Sequence, residues 1–465
     1  MPRRHVLMRS LALTMCLWAA CAAPEKKSTI VSGAQAAITV LRNLRLVDGL
    51  GSEPVPSVSV VIEGERIRWV GPDNDLQLPP SAAVVELRGM TIMPALISAH
   101  SHVGLVAGTS AKSDNGTRDN ILHQLRQYEA YGVDTVTSLG FNGSVFYELQ
   151  PELHAGKLPG ADLFGADRGI GVAGGAPPVE ADAAHLSRVD TPEQARAAVS
   201  DAATRHPDLL KIWVDDFHAS LPTKMKEATQ RAVIEQAHEL GLRVAAHVYY
   251  REDAKALVRA GVDILAHGVR DQAVDDELIA LLREHGTWYV PTLGLDESFY
   301  VYARHPEWLG QPFLQHALSP ALATQLNDGA WREKILADSA KLKIDEASVA
   351  NNQQNLKRLY DAGVAIGFGT DSGATPLRVP GFAEHRELEL MVAAGIPELA
   401  AIRIATSETA RLLQLQDRGA LAPGQRADFI ILKGDPSRAI SETTSIEQVW
   451  HRGHKVSDGV AGFTP

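Results

Sequence analysis

The sequence predicts an α/β protein: a (β/α)₈ TIM-type barrel with a small β-sandwich domain built from both chain ends. Two observations carry this. An amphipathic helix, a glycine and a short apolar strand recur along the middle of the chain, as in Tyr128-Glu-Ala-Tyr-Gly132 before Val133-Asp-Thr-Val-Thr-Ser-Leu139, and again at Gly241, Gly261, Gly286 and Gly363. Glycine is expected just past a helix C-terminus, where φ is positive. At both ends the text changes to short alternating or apolar runs broken by turn residues, which reads as antiparallel β structure.

Taken in order, Arg3, Arg4 and Arg9 precede an apolar stretch over residues 11–20. It is too short to span a bilayer and has the proportions of a signal-peptide core. Residues 1–20 are therefore expected to be a signal peptide and 21–37 a tether. Leu17-Trp18-Ala19-Ala20-Cys21 resembles a bacterial lipobox, with Trp18 an unusual occupant. On that reading the protein is exported to the periplasm and lipid-anchored to the membrane through Cys21; cleavage after Ala20 or Ala22, with release, competes.

Residues 38–93 hold Ile38-Thr-Val-Leu and Val58-Ser-Val-Val-Ile62, punctuated by Asp48-Gly49 and Glu63-Gly64; residues 419–460 hold Asp428-Phe-Ile-Ile-Leu432 and Gln448-Val-Trp450. Together they are expected to form the composite sandwich. Within residues 94–418, strands near 94–99, 163–169 and 209–214 join those after the five glycines to give eight, each followed by room for a helix. Strands and helices in alternation mean a parallel sheet. A doubly wound open sheet is the alternative, but no strand runs into a Gly-x-Gly-x-x-Gly turn.

Composition narrows the chemistry. Of 465 residues, 45% are hydrophobic, enough for a large core. The only two cysteines are Cys16 and Cys21, so a metal site in the body must use His, Asp, Glu or Lys. The 45 Lys and Arg against 56 Asp and Glu give a net charge of -11, which argues against a nucleic-acid binder.

Candidate ligands fall at the predicted C-terminal strand ends, the rim on which barrel active sites are built. His100 and His102 are two residues apart and would point the same way from a strand. His247 and His267 each lie six residues after a junction glycine, at equal heights, and Asp371 ends the apolar run 364–371. Four imidazoles and a carboxylate suit zinc and its neighbours. Lys211 is a cation inside the apolar run Leu209-Leu-Lys-Ile-Trp-Val214. Burying it unpaired is costly, so it is either ion-paired, for example with Asp215 or Asp216, or neutral and able to take up CO₂ as a carbamate.

These residues together resemble the amidohydrolase superfamily, binuclear metal subtype with a carboxylated lysine, in its imidazolonepropionase-like and prolidase-like bacterial branch. The C-terminal Gly419-Ala-Leu-Ala-Pro-Gly-Gln-Arg-Ala-Asp428 is also typical of it. The resemblance implies two divalent metal ions, one held by His100, His102 and Asp371, the other by His247 and His267, with N6-carboxylated Lys211 between them. It further implies amide hydrolysis by a metal-bridging hydroxide with Asp371 as general base and acid. A deaminase of this superfamily usually carries a Glu three residues after the fifth-strand His, where Tyr250 stands here.

The expected substrate is a small molecule, a dipeptide or N-acyl amino acid with a bulky or aromatic group; lactone, ester or phosphotriester hydrolysis and an inactive binding module are the alternatives. Tyr249, Tyr250 and Arg270, beyond the ligand histidines, are candidate substrate contacts, with Arg168 and Arg378 comparable. Residues 288–331 hold eight of the 26 aromatic residues. They are expected either to cover the barrel mouth as a lid or pocket wall or to pack against a neighbouring subunit; oligomeric state is left open. Gly169-Ile-Gly-Val-Ala-Gly-Gly175 is not followed by Gly-Lys-Ser/Thr and reads as a loop, no His-Glu-x-x-His occurs, and Ser101 has no Gly-x-Ser-x-Gly elbow.

Overall fold

Helix termini set the spacing of the body. Thr117 caps Arg118–Ala130 through the Asn120 amide, Thr191 and Gln194 form a capping box before Pro192–Ala203, and Asp275 caps Asp276–His285 through Leu278. Each side-chain oxygen satisfies an amide that the helix cannot. The five junction glycines all have positive φ, between 65° and 92°, so each reverses the chain after its helix and returns it to a strand.

The computed structural model describes residues 37–463 except 79 and 218. The expected signal peptide, Cys21 and all but residue 37 of the expected tether lie outside the described residues. Among the described residues no helix is long and apolar enough to cross a membrane.

The returned strands pair in parallel. Leu96–Ser101 pairs with Val133–Ser138, and that with Asp162–Gly165. Leu210–Trp213, Val244–His247, Ile264–Leu265 and Trp288–Tyr289 follow one another in the same way. Three single parallel bridges connect the series: Ala166 to Leu209, Tyr289 to Ile366, and Ser372 back to Ser101. The sequence therefore folds into an α/β body whose strands all deliver their C-terminal ends to one side.

Both chain ends contribute to one eight-stranded sheet. Its main path runs His454–Ser457, Ile446–His451, Phe429–Leu432, Thr91–Pro94, Ile38–Leu46, Val55–Glu63 and Arg66–Pro72. The antiparallel expectation is corrected here, because Ile38–Leu46 pairs in parallel with both Ala83–Glu86 and Thr91–Pro94. Leu41, Leu44, Val60, Ile92, Phe429 and Trp450 form this sheet's core. It and the α/β body form one compact unit.

The seam between them is ionic. Asp162, 1% exposed, accepts from Arg418 and Arg426 at 2.6 Å each and from Arg452 at 2.9 Å. Burial acts to raise its pKa, but Arg426 and Arg418, with His451 and Arg452, hold it well below the ordinary carboxylate range. Nearby, Asp134, Asp428 and His451 bring potential ligand atoms within 4.8 Å of one another. Arg426 already binds Asp428 and lies 3.4 Å from His451 Nε2, so a guanidinium holds the place a cation would take.

The aromatic-rich segment 288–331 turns inward. Val301, Tyr302, Leu309 and Leu314 pack with Tyr131 and Phe382 in a core of their own, and Trp308, Phe313 and Trp331 lean on it. The lid expectation is corrected for most of this segment: of residues 288–331, Leu295, Asp296 and Phe299 reach the large cavity described below.

Removing one partner from a buried ion pair strands the other charge. Asp162→Asn is therefore expected to lower unfolding free energy by about 3–5 kcal/mol in chemical denaturation; a loss below about 1 kcal/mol would show that the seam is solvated.

Candidate metal centre

The six predicted ligands come from separate segments and meet in one place. His100 and His102 sit at the end of Leu96–Ser101, Lys211 in Leu210–Trp213, His247 at the end of Val244–His247, and His267 two residues beyond Ile264–Leu265. All six, Asp371 included, are at most 5% exposed. Asp371 Oδ1 is 3.1 Å from Nε2 of both His100 and His102. The His267 ring lies 4.5 Å from that of His100 and 4.4 Å from that of His247.

Hydrogen bonds fix which ring nitrogen faces inward. His100 Nδ1 donates to the Ala266 carbonyl, which leaves the Nε2 lone pair toward Asp371. His267 Nδ1 is 3.0 Å from Thr292 Oγ1. His247 Nε2 lies 2.9 Å from Asp215 Oδ2, which frees Nδ1. Such outer contacts orient metal-binding imidazoles. Asp215 was considered in sequence only as an ion-pair partner for Lys211, and no spacing signalled its place behind His247.

Burial tunes the charges. It pushes His100 down to about 3, with the Lys211 charge adding to the effect, and lowers His247 and His267 as well. These imidazoles are neutral at pH 7, the form that binds metal. Burial also brings Lys211 down to about 7, against the pull of Asp371 and Asp215. Among the described residues its Nζ has no hydrogen-bond partner and no carboxylate within ion-pair distance, so the ion-paired alternative for Lys211 is not what this geometry offers. For Asp371 burial acts upward, but the Arg378 guanidinium holds it well below the usual range, and it is ionised. Arg378 makes a short hydrogen bond to its Oδ2.

The backbone around Asp371 is constrained. Asp371 has φ +59°, a region costly for a residue with a side chain. Its amide and that of Thr370 both donate to the His100 carbonyl, at 2.9 and 3.1 Å. Gly373, at φ +78°, packs so closely that a Cβ there would lie 2.0 Å from the His102 carbonyl oxygen. Glu384, fully buried, accepts from the hydroxyls of Thr370 at 2.6 Å and Ser372 at 2.7 Å, the residues on either side of Asp371, and from the Gly381 amide at 2.8 Å.

The centre opens into a cavity of about 640 Å³ lined by His102, His247, His267 and Asp371, with apolar walls. Tyr249 and Arg270 line it; Arg270 Nε is 3.0 Å from Asp296. Tyr250 does not line it and donates instead to Asp216 at 2.8 Å. Arg378 lines it, whereas Arg168 lies 3.6 Å from Asp201, away from it.

With fold and site in place, comparison with known proteins is informative. The amidohydrolase family model matches residues 91–456. The chain belongs to the amidohydrolase family. It is 30% identical over 237 residues to an uncharacterized protein of Mycobacterium tuberculosis, a match spanning 50% of this chain and 58% of that protein's length. It is 39% identical over 104 residues, 22% of this chain and 26% of the other, to an imidazolonepropionase of Deinococcus deserti. Among solved structures, a candidate prolidase from Bifidobacterium longum aligns with TM-score 0.73 and 24% identity over 92% of this chain and 96% of its own. A Xaa-Pro dipeptidase with bound methionine aligns with TM-score 0.70 and 24% identity over 91% and 100%. These two likenesses speak to the fold.

Because Glu384 holds both neighbours of Asp371, Glu384→Ala should cut turnover by about 10²-fold through misplacement of that carboxylate. Glu384→Gln, which keeps the acceptor for both hydroxyls, should stay within about tenfold of wild type. Equal losses in steady-state kinetics would show that charge, and not the grip on residues 370 and 372, matters.

Proposed function

We propose that this protein is a binuclear metal-dependent hydrolase that cleaves a C–N amide bond in a small substrate, a dipeptide or an N-acyl amino acid with a bulky or aromatic group. The observation that carries the reading is the donor set itself: neutral imidazoles, a carboxylate held ionised and an unpaired buried amine converge on one cavity. The series of parallel strands, joined end to end by the Ser101–Ser372 bridge, supports a closed (β/α)₈ barrel as the frame. Relatives named imidazolonepropionase and Xaa-Pro dipeptidase support the same class of chemistry.

The residues fit two divalent ions, with zinc the natural choice for nitrogen-rich donors. His100, His102 and Asp371 would hold one, His247 and His267 the other, and Lys211 carboxylated by CO₂ would reach both. When bound, such a pair supplies a water of lowered pKa and a polarised carbonyl. The protein's own part is positional. Asp371, held ionised beside Arg378, would accept a proton and return it to the leaving nitrogen as general base and acid. The αL backbone and Glu384 keep Oδ1 on the His100 and His102 side. The N-terminal arginines and apolar run support an exported, periplasmic protein anchored through Cys21.

Metal-replete protein should carry two divalent ions per chain by elemental analysis. Lys211→Ala should retain about one, and a small carboxylic acid should restore the second. Asp371→Asn should leave metal content nearly intact and lower turnover by about 10²–10⁴-fold. Fewer than two ions in wild type, or unchanged turnover in Asp371→Asn, contradicts the reading; a screen of dipeptides, N-acyl amino acids, lactones and organophosphates fixes the bond cleaved.

A further inference from the structure

We propose that Phe141, Trp213 and Phe217 form a seat for a flat, uncharged aromatic group of the substrate. This deepens the proposed hydrolase reading and rests on it. The rings come from two different strand ends, Phe141 beyond Val133–Ser138, Trp213 at the end of Leu210–Trp213 and Phe217 beyond it, and flank the centre on both sides. Phe141 lies 5.5 Å from the His102 ring and 5.2 Å from Trp213, and Phe217 stacks on His247 at 4.8 Å with the planes only 12° apart. All three line the cavity.

The backbone is shaped to present them. Phe141 has φ +61° and Phe217 φ +48°. Bulky residues are rarely held in this left-handed region, and where they are, the surroundings over-determine it and function is the usual reason. Here the Phe141 amide donates to the Arg168 carbonyl at 2.9 Å, and the Phe217 amide to Asp215 Oδ1 at 3.0 Å. Asp215 thus fixes both His247 and the ring stacked on it. Trp213 lies against two glycines: a Cβ on Gly140 or Gly169 would come within 2.5 or 2.3 Å of its indole. Space for that ring is built into the neighbouring turns.

Charge selects the ligand class. The three cations on the cavity wall are already committed, Arg270 to Asp296, Lys341 to Asp345 and Arg378 to Asp371. The wall therefore offers stacking faces and no unpaired cation, which favours a neutral aryl group over a second carboxylate. Aromatic pairs prefer offset or edge-to-face contact with such rings and gain beyond simple burial.

The test compares substrates that differ only in the ring: N-acetylphenylalanine against N-acetylalanine, and N-benzoylalanine against N-acetylalanine, so that the aryl group lies on either side of the amide. With metal-replete wild type, at least one aryl member should have kcat/KM about tenfold or more above its partner. In Phe217→Leu, and in Phe217→Gly, whose residue is at ease at positive φ, that ratio should fall about tenfold. A wild-type ratio near one, or a ratio unmoved in a folded variant, overturns the seat. If no member of the series is hydrolysed, the amide-hydrolase reading fails by itself, and calorimetric titration of N-acetylphenylalanine against N-acetylalanine decides the seat: equal affinities refute it, tighter aryl binding lost in Phe217→Gly supports it.

Discussion

The amine of Lys211 is fully buried over the Trp213 ring, 5.5 Å from its centroid, with no hydrogen-bond partner among the described residues, and the centre is arranged around that constraint. A cation in such surroundings loses its hydration without a partner to replace it. Burial accordingly draws Lys211 down to about 7, where a neutral amine is within reach. The same burial keeps His100, His247 and His267 neutral. A single physical cause thus prepares a nucleophilic amine and a set of lone pairs, and the proposed carbamate and metals complete what dehydration of the site begins.

The carboxylate is treated in the opposite way. Asp371 is as buried as its neighbours yet stays ionised, because the Arg378 guanidinium binds one of its oxygens, while the other lies 3.1 Å from Nε2 of His100 and His102. Its position is set by backbone and not by reach: a left-handed residue, two amides on the His100 carbonyl, and a glycine that lets residues 373 and 102 come together. Glu384 then clamps both flanks from the first turn of Phe382–Ala393, through the hydroxyls of Thr370 and Ser372. Precision at one oxygen is supported by a shell extending across several elements.

Much of this was legible in sequence because it is periodic. Glycine after each helix marked the strand starts, equal offsets from those glycines placed His247 and His267, and a two-residue interval paired His100 with His102. What sequence did not reveal depends on tertiary closure. Asp215 behind His247 and Glu384 behind Asp371 act across elements and leave no local pattern. The aromatic segment 288–331 misled in part, since composition cannot tell a pocket wall from a core; most of its rings pack on Tyr131 and Phe382. The rings that face the centre are scattered, Trp213 at the end of a strand and Phe141 and Phe217 singly in loops. The parallel pairs of Ile38–Leu46 were hidden for a related reason, because alternation marks a strand and not its partner.

The central claim is that Lys211 becomes an anion by taking up CO₂, and carbon-13 NMR of protein reconstituted with divalent metal and labelled bicarbonate tests it most directly. A carbamate carbonyl resonance in wild type that is absent from Lys211→Ala is the predicted result. A metal-replete wild type with no such resonance, or one that persists in Lys211→Ala, would contradict the account.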